Sequence, residues 1–170
     1  KGNYLDSWGE GEYLRPHGIC IDNNDDLYLI DDQGHMIEKR TKEGKLIFRL
    51  GEKGKSSKRQ SGKIFNLPTD AIVDPDTGDI FISDGYGNSR VHKFDAQGKY
   101  IKSWGEPGSD AGKFSLPHNI AITSDKRLIV ADRENFRLQI FDTDGNFIDQ
   151  WHIHHPMSVT TDSKDNIYVG

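Results

Sequence analysis

The sequence predicts an all-β chain in which one four-stranded unit recurs. Three observations predict it. Apolar residues fall in short alternating runs, and no stretch has the 3.6-residue periodicity of a useful amphipathic helix. Eighteen glycines in 170 residues, with Asp and Asn between the runs, supply tight turns. A proline-led frame then repeats as "LRPHGICI" (14–21), "NLPTDAIV" (66–73), "SLPHNIAI" (115–122) and "HHPMSVTT" (154–161), with prolines 52, 49 and 39 residues apart.

Each frame opens a unit whose elements follow in order. The run after the proline is a first strand, ending at Asp22, Asp74, Thr123 or Asp162. A second strand follows the turn: "DLYLID", "DIFISD", "RLIVAD" and "NIYVG". The third reads "MIEKR", "RVHKF" and "RLQIF". A glycine turn ("KEGK", "AQGK", "TDGN") leads to a fourth: "LIFRLGE", "YIKSWGE", "FIDQWH". Gly44, Gly98 and Gly145 supply the positive φ such hairpins need. Trp8, Leu50, Trp104 and Trp151 form one series on the fourth strands, expected to pack between neighbouring units rather than to hold a ligand.

Four strands per 40–50 residues is the period of a β-propeller blade. Residues 1–10 are read as the outer strand of a preceding blade. Residues 11–51, 64–106 and 113–152 are read as three blades, and 153–170 as the first half of a further one. A propeller must close to hide its edges, so the chain is expected to form part of a larger, six-bladed ring that is monomeric when complete. The basic segment "EKGKSSKRQSGK" (52–63) is expected to be a solvated, mobile loop.

The net charge of −5 disfavours a nucleic-acid surface. No apolar run approaches the roughly 20 residues of a membrane span. The single cysteine, Cys20, excludes an internal disulfide and reads as a buried small apolar group.

The stretches "GYGNSRVHKFDAQGKYIKSWG" and "ADRENFRLQIFDTDGNFIDQW" resemble the NHL repeat. Residues 66–142, with "SDGYGNSR", "LPHNIAI" and "VADREN", are similar to the lyase domain of the peptidylglycine α-amidating enzymes; "RPHGICID" extends the likeness more loosely. The resemblance implies a six-bladed NHL-type propeller that cleaves peptidyl-α-hydroxyglycine to a peptide amide and glyoxylate. It implies zinc held by three histidines near the axis, a tyrosine base, arginines for the substrate's carboxylate and developing charge, and a structural calcium. By motif, His17 and His118 fall on zinc ligands, Tyr86 on the base, Arg133 on an arginine, and the Ile19 carbonyl on a calcium ligand. A third histidine and a further arginine are expected from blades outside these residues. Gly87, Ile129 and Ile140 stand where animal members carry paired cysteines. The resemblance also implies a peptide substrate and a secreted or periplasmic setting.

The residues support part of this unaided. His17, Thr69, His118 and Met157 are equivalent by position, so a ring brings them to one rim. Imidazole is a good zinc ligand; the other reading is that each histidine bonds a neighbouring blade's loop. Tyr86 and Arg133 occupy corresponding loops after the second strand, on the same rim. A phenol titrates near 10, so it needs a cation nearby to act as a base. Alternatively, Arg133 pairs with Asp132 or Glu134 and Tyr86 merely stacks in its loop. Gln33 and His35 show no comparable pattern. His152 and His154 share one side of a strand with His155 turned away, which reads as an inter-blade linker more readily than a metal patch. "DTDGN" is a hairpin turn without a calcium loop's distal glutamate. The rival function is a non-catalytic peptide- or protein-binding ring. A calcium-dependent propeller hydrolase is the third reading, against which the axial His, Thr, His and Met count.

Overall fold

A computed structural model describes residues 2–170. Its strands are β1 (Pro16–Ile21), β2 (Leu27–Asp31), β3 (Met36–Arg40) and β4 (Leu46–Gly51) in the first blade. The second holds β5 (Asp70–Val73), β6 (Ile80–Asp84), β7 (Arg90–Phe94) and β8 (Tyr100–Trp104). The third holds β9 (Pro117–Ile122), β10 (Leu128–Asp132), β11 (Arg137–Phe141) and β12 (Phe147–His152), and β13 (Val159–Thr161) with β14 (Ile167–Val169) forms a two-stranded sheet. Every pairing is antiparallel between sequence neighbours. The first strands β1, β5, β9 and β13 lie side by side and define the axis. The all-β, four-stranded-blade reading is therefore correct.

Among the described residues the core is divided, an apolar layer filling each gap between blades. Tyr28, Ile30, Ile37 and Leu50 meet Ile80, Ile82 and Phe94 between the first two blades. Phe81 and Val91 meet Ile120, Val130 and Phe141 between the next two. Alternation explains the sharing: one face of each sheet serves the blade before and the other the blade after.

The fourth-strand series locks into the outer hairpin glycines. A Cβ on Gly44 would lie 2.8 Å from Trp8, one on Gly98 2.9 Å from Leu50, and one on Gly145 2.5 Å from Trp104. The positive φ expected at these turns is present (86°, 80° and 78°), but the close approach is an additional reason for glycine. Gly145→Ala is expected to cost more than the roughly 1 kcal/mol typical of a strained glycine site, because Trp104 must also move; thermal denaturation measures it.

Three expectations need correction. Residues 2–10 contain no strand, because no third strand lies beside them to accept the ladder. Trp8 still packs on Gly44 and against the Arg40 guanidinium. Trp151 is 44% exposed rather than packed between blades, since among the described residues the following unit brings only its first two strands, β13 and β14, and no outer hairpin against it. The 52–63 loop is tied down: Ser57 N donates to Phe65 O (2.8 Å), Gln60 N to Gly87 O (2.8 Å) and Gly62 N to Asn88 Oδ1 (3.0 Å). Its charges face solvent while its backbone follows the second blade.

Candidate active site on the propeller rim

The rim is built by one aspartate per complete blade, at the end of the second strand. Asp31, Asp84 and Asp132 are fully buried. Asp31 accepts from Leu14 N (2.8 Å) and Arg15 N (2.9 Å), Asp84 from Asn66 N (3.0 Å), and Asp132 from Ser115 N (2.7 Å). Each carboxylate thus ties the loop before the first strand to the loop after the second. The loop after the second strand carries Tyr86 and Arg133, and the loop before the first strand leads directly into His17 and His118 near the start of β1 and β9, which is why residues far apart in sequence meet. The repeated terminal Asp of "LID", "ISD" and "VAD" was the available signal, and sequence reasoning did not use it.

Past each proline, one side chain reaches the next blade. His17 Nδ1 donates to Thr69 O (2.7 Å), Thr69 Oγ1 to Pro117 O (2.9 Å), and His118 Nδ1 to Met157 O (2.7 Å). The inter-blade reading of the histidines is therefore correct as far as Nδ1. Threonine has one hydroxyl proton, with Pro117 O and Ser83 O (3.0 Å) both in reach, whereas imidazole keeps a second nitrogen, Nε2, for the axis. Both Nε2 atoms converge on the Tyr86 hydroxyl, at 3.1 Å from His17 and 3.0 Å from His118. The two imidazole centroids are 5.1 Å apart.

With Nδ1–H committed to carbonyls, each neutral ring presents Nε2 as a bare lone pair. Burial pushes the His118 imidazole below its ordinary value, which favours that neutral form. Tyr86 has one hydroxyl proton for two such acceptors, so three lone-pair atoms meet at a point short of hydrogens. This donor set fits a cation, and backbone-anchored imidazoles are the form in which histidine binds zinc. Among the described residues no three His, Cys, Asp or Glu side chains gather to hold a metal; these residues contribute two imidazoles.

Tyr86 lies on the single helical turn Gly85–Asn88 and Arg133 opens the 3₁₀ turn Arg133–Asn135. The two places differ by one step from the buried aspartate: Arg133 matches Gly85, where a Cβ would lie 2.0 Å from Pro117 O. They still reach one another, the Arg133 guanidinium standing 5.9 Å from the Tyr86 ring centre. Arg133 Nε also donates to Glu134 Oε1 (2.9 Å) and holds that carboxyl below the usual range. Pairing and proximity to Tyr86 coexist.

Sequence reasoning missed Arg15 and Asp32. The Arg15 guanidinium is 5.6 Å from the Tyr86 ring centre and its Nε donates to Asp32 Oδ1 at 2.7 Å. The signal was the frame itself: Arg15 stands where the other units have Leu67, Leu116 and His155 before proline.

Other candidates lie apart from Tyr86 or do nothing there. Ile19 is in β1, paired with Leu29, its side chain 62% exposed. Beside β1, Asp70 accepts from Asn119 Nδ2 and Ile120 N, and burial raises it to about 7. His35 Nδ1 accepts from Leu67 N (3.1 Å). The buried Cys20 thiol is pushed up to about 11, as expected of an inert apolar group. His155 is not turned away: it shares the left-handed pre-proline conformation of Leu67 and Leu116, and its ring meets Phe136 (5.4 Å) and Glu134 Oε1 (3.4 Å). His154 packs on Phe136 too, while β12 ends at His152, so the three do not form a metal patch.

Residues 65–94 and 114–141 match the NHL repeat, and the chain is an NHL-repeat β-propeller chain. Its relatives include peptidylglycine α-amidating enzymes, their lyases and an NHL repeat-containing protein of Homo sapiens. It is 41% identical over 152 residues to the peptidyl-glycine alpha-amidating monooxygenase of Mus musculus, covering 85% of this chain and 15% of that protein. It is 38% identical over 141 residues to a probable peptidyl-alpha-hydroxyglycine alpha-amidating lyase of Caenorhabditis elegans, covering 81% of this chain and 39% of that protein. The chain thus spans well under half the length of either. A streptogramin B lyase structure superposes with a TM-score of 0.68 at 15% identity, covering 91% of this chain and 47% of that one, which speaks to the fold alone. Among the described residues no helix is long and apolar enough to cross a membrane.

Proposed function

We propose that the protein containing this chain cleaves peptidyl-α-hydroxyglycine to a peptide amide and glyoxylate. The observation that carries the reading is the Tyr86 hydroxyl held between His17 Nε2 and His118 Nε2 beneath the Arg133 guanidinium. The kinship with amidating lyases supplies the substrate class. His17 and His118 would hold zinc through Nε2, with further ligands from outside these residues. When bound, zinc supplies a Lewis acid beside the phenol.

The chain's own residues account for the proton movements. Tyr86 Oη, as phenolate, takes the proton of the substrate's α-hydroxyl. The freed electron pair becomes the aldehyde C=O as the Cα–N bond breaks, and the leaving amide nitrogen takes a proton back from Tyr86. Atoms and charge balance, and no redox partner is required. Arg133 is placed to offset negative charge developing at the phenol. A structural calcium at the Ile19 carbonyl belongs to the same reading. Calcium takes six to eight oxygens, so most would come from outside these residues.

Two measurements test the reading in the intact protein: glyoxylate released from a peptidyl-α-hydroxyglycine, and zinc by elemental analysis. We expect turnover, with about one zinc per chain that His118→Ala loses without unfolding the protein. Metal-free protein with no turnover would leave a propeller that binds peptides without cleaving them.

A further inference from the structure

We propose that Arg15, held by Asp32, binds a peptide carboxylate at this rim and so sets specificity; the inference rests on the lyase reading above. Arg49 is held by the buried Glu38 in the way Arg15 is held by Asp32, but Arg15 is the one of the two that stands beside Tyr86. Arg40 and Arg137 are buried and spend their guanidiniums on structural bonds to carboxylates, carbonyls and a side-chain amide. The Arg15 side chain is 48% exposed, while its partner Asp32 is fully buried. Nε faces both carboxylate oxygens, at 2.7 and 2.8 Å, and Nη2 joins them. That side-on pairing fixes the plane of the guanidinium and leaves Nη1 without a partner among the described residues.

The fixed group stands over the ring whose hydroxyl bridges the two histidines. Arg133 stands over the same ring. Two guanidiniums are thus brought beside one phenol, and each has its own carboxylate to one side, Asp32 or Glu134. Asp32 is tied further by its backbone, which donates to Arg15 O (3.3 Å), so the pair is a rigid corner of the rim. A half-exposed arginine with a preset plane suits a carboxylate, which it meets with charge-assisted bonds at little ordering cost.

The carboxylate could come from the substrate's C-terminus or from an acidic side chain on the preceding residue. The experiment separates these sources without relying on turnover. Calorimetry on the intact protein compares three unreactive glycine-ended peptides: one with a free C-terminus, its C-terminal amide, and the free acid with Asp before the glycine. We expect a preference of about tenfold or more for one added carboxylate, as a charge-assisted hydrogen bond provides. In Arg15→Met that preference should vanish; in Arg15→Lys it should survive in part. Loss of the acid-over-amide preference assigns the C-terminus, and loss of the Asp preference assigns the side chain. Arg15→Met leaves a buried carboxylate unpaired, so Arg15→Met/Asp32→Asn is measured beside it. If both variants keep wild-type preferences, or if the wild type has none, the proposal is overturned. Failure of the lyase reading is seen separately, as absence of glyoxylate from the wild type.

Discussion

Tyr86→Phe is expected to remove glyoxylate release from the intact protein by a factor of roughly 10²–10⁴, the usual contribution of a positioned acid–base group. The fold should be untouched. The Tyr86 ring lies edge-on to His17 and His118, at centroid distances of 5.4 and 5.5 Å, and phenylalanine preserves that packing. The hydroxyl bonds only the two Nε2 atoms, so its removal strands no backbone group. Both imidazoles keep their carbonyl partners on Nδ1 and hence their orientation. Zinc content should therefore remain near that of the wild type while turnover disappears. Thermal denaturation, elemental analysis and a glyoxylate assay on one preparation decide it. Unchanged turnover would falsify the role given to the phenol.

Asp132→Ala is expected to destabilise the intact protein by about 3–5 kcal/mol, the cost of breaking one side of a buried ion pair. Asp132 accepts from Ser115 N, Asn135 Nδ2, Arg137 Nε and Gln139 Nε2, at 2.7, 2.8, 2.8 and 3.0 Å. Its removal leaves the Arg137 guanidinium, 4% exposed, with carbonyls and one amide oxygen but no counter-charge. Asp132→Asn should cost less, because the amide oxygen can still accept. Denaturant unfolding of the three forms measures the order. The alanine variant should also loosen the Arg133 loop, which hangs from the same residue, so activity should fall before global unfolding is complete. An alanine variant as stable as wild type would mean that the aspartates do not organise the rim.

Much of the architecture was legible because it depends on local patterning. Period-two alternation and glycine turns placed every strand of the three blades, since a strand one residue out of register would turn its apolar side chains to the wrong face. The exception was residues 2–10, where the pattern of a fourth strand is present but the hydrogen-bonding partner is not. The rim was legible in part. Positional equivalence paired His17 with His118, and likeness to the amidating lyases picked out Tyr86 and Arg133. Arg15 escaped because its neighbours in the site come from other parts of the chain, and nothing within "LRPHGICI" tells which way the guanidinium is drawn. That direction is set by Asp32, on the far side of β1 and β2.

The sequence by itself determined the repeat, the strand order within each blade and the residues that can reach the axis, because these follow from side-chain period and turn chemistry. Only the tertiary structure decided what those residues do together. His17 and Thr69 hold equivalent places and make equivalent bonds to the next blade, yet imidazole alone keeps a second nitrogen for the axis. The convergence on Tyr86 is a property of three blades held side by side, fixed by buried carboxylates that bond backbone groups 16–18 residues away.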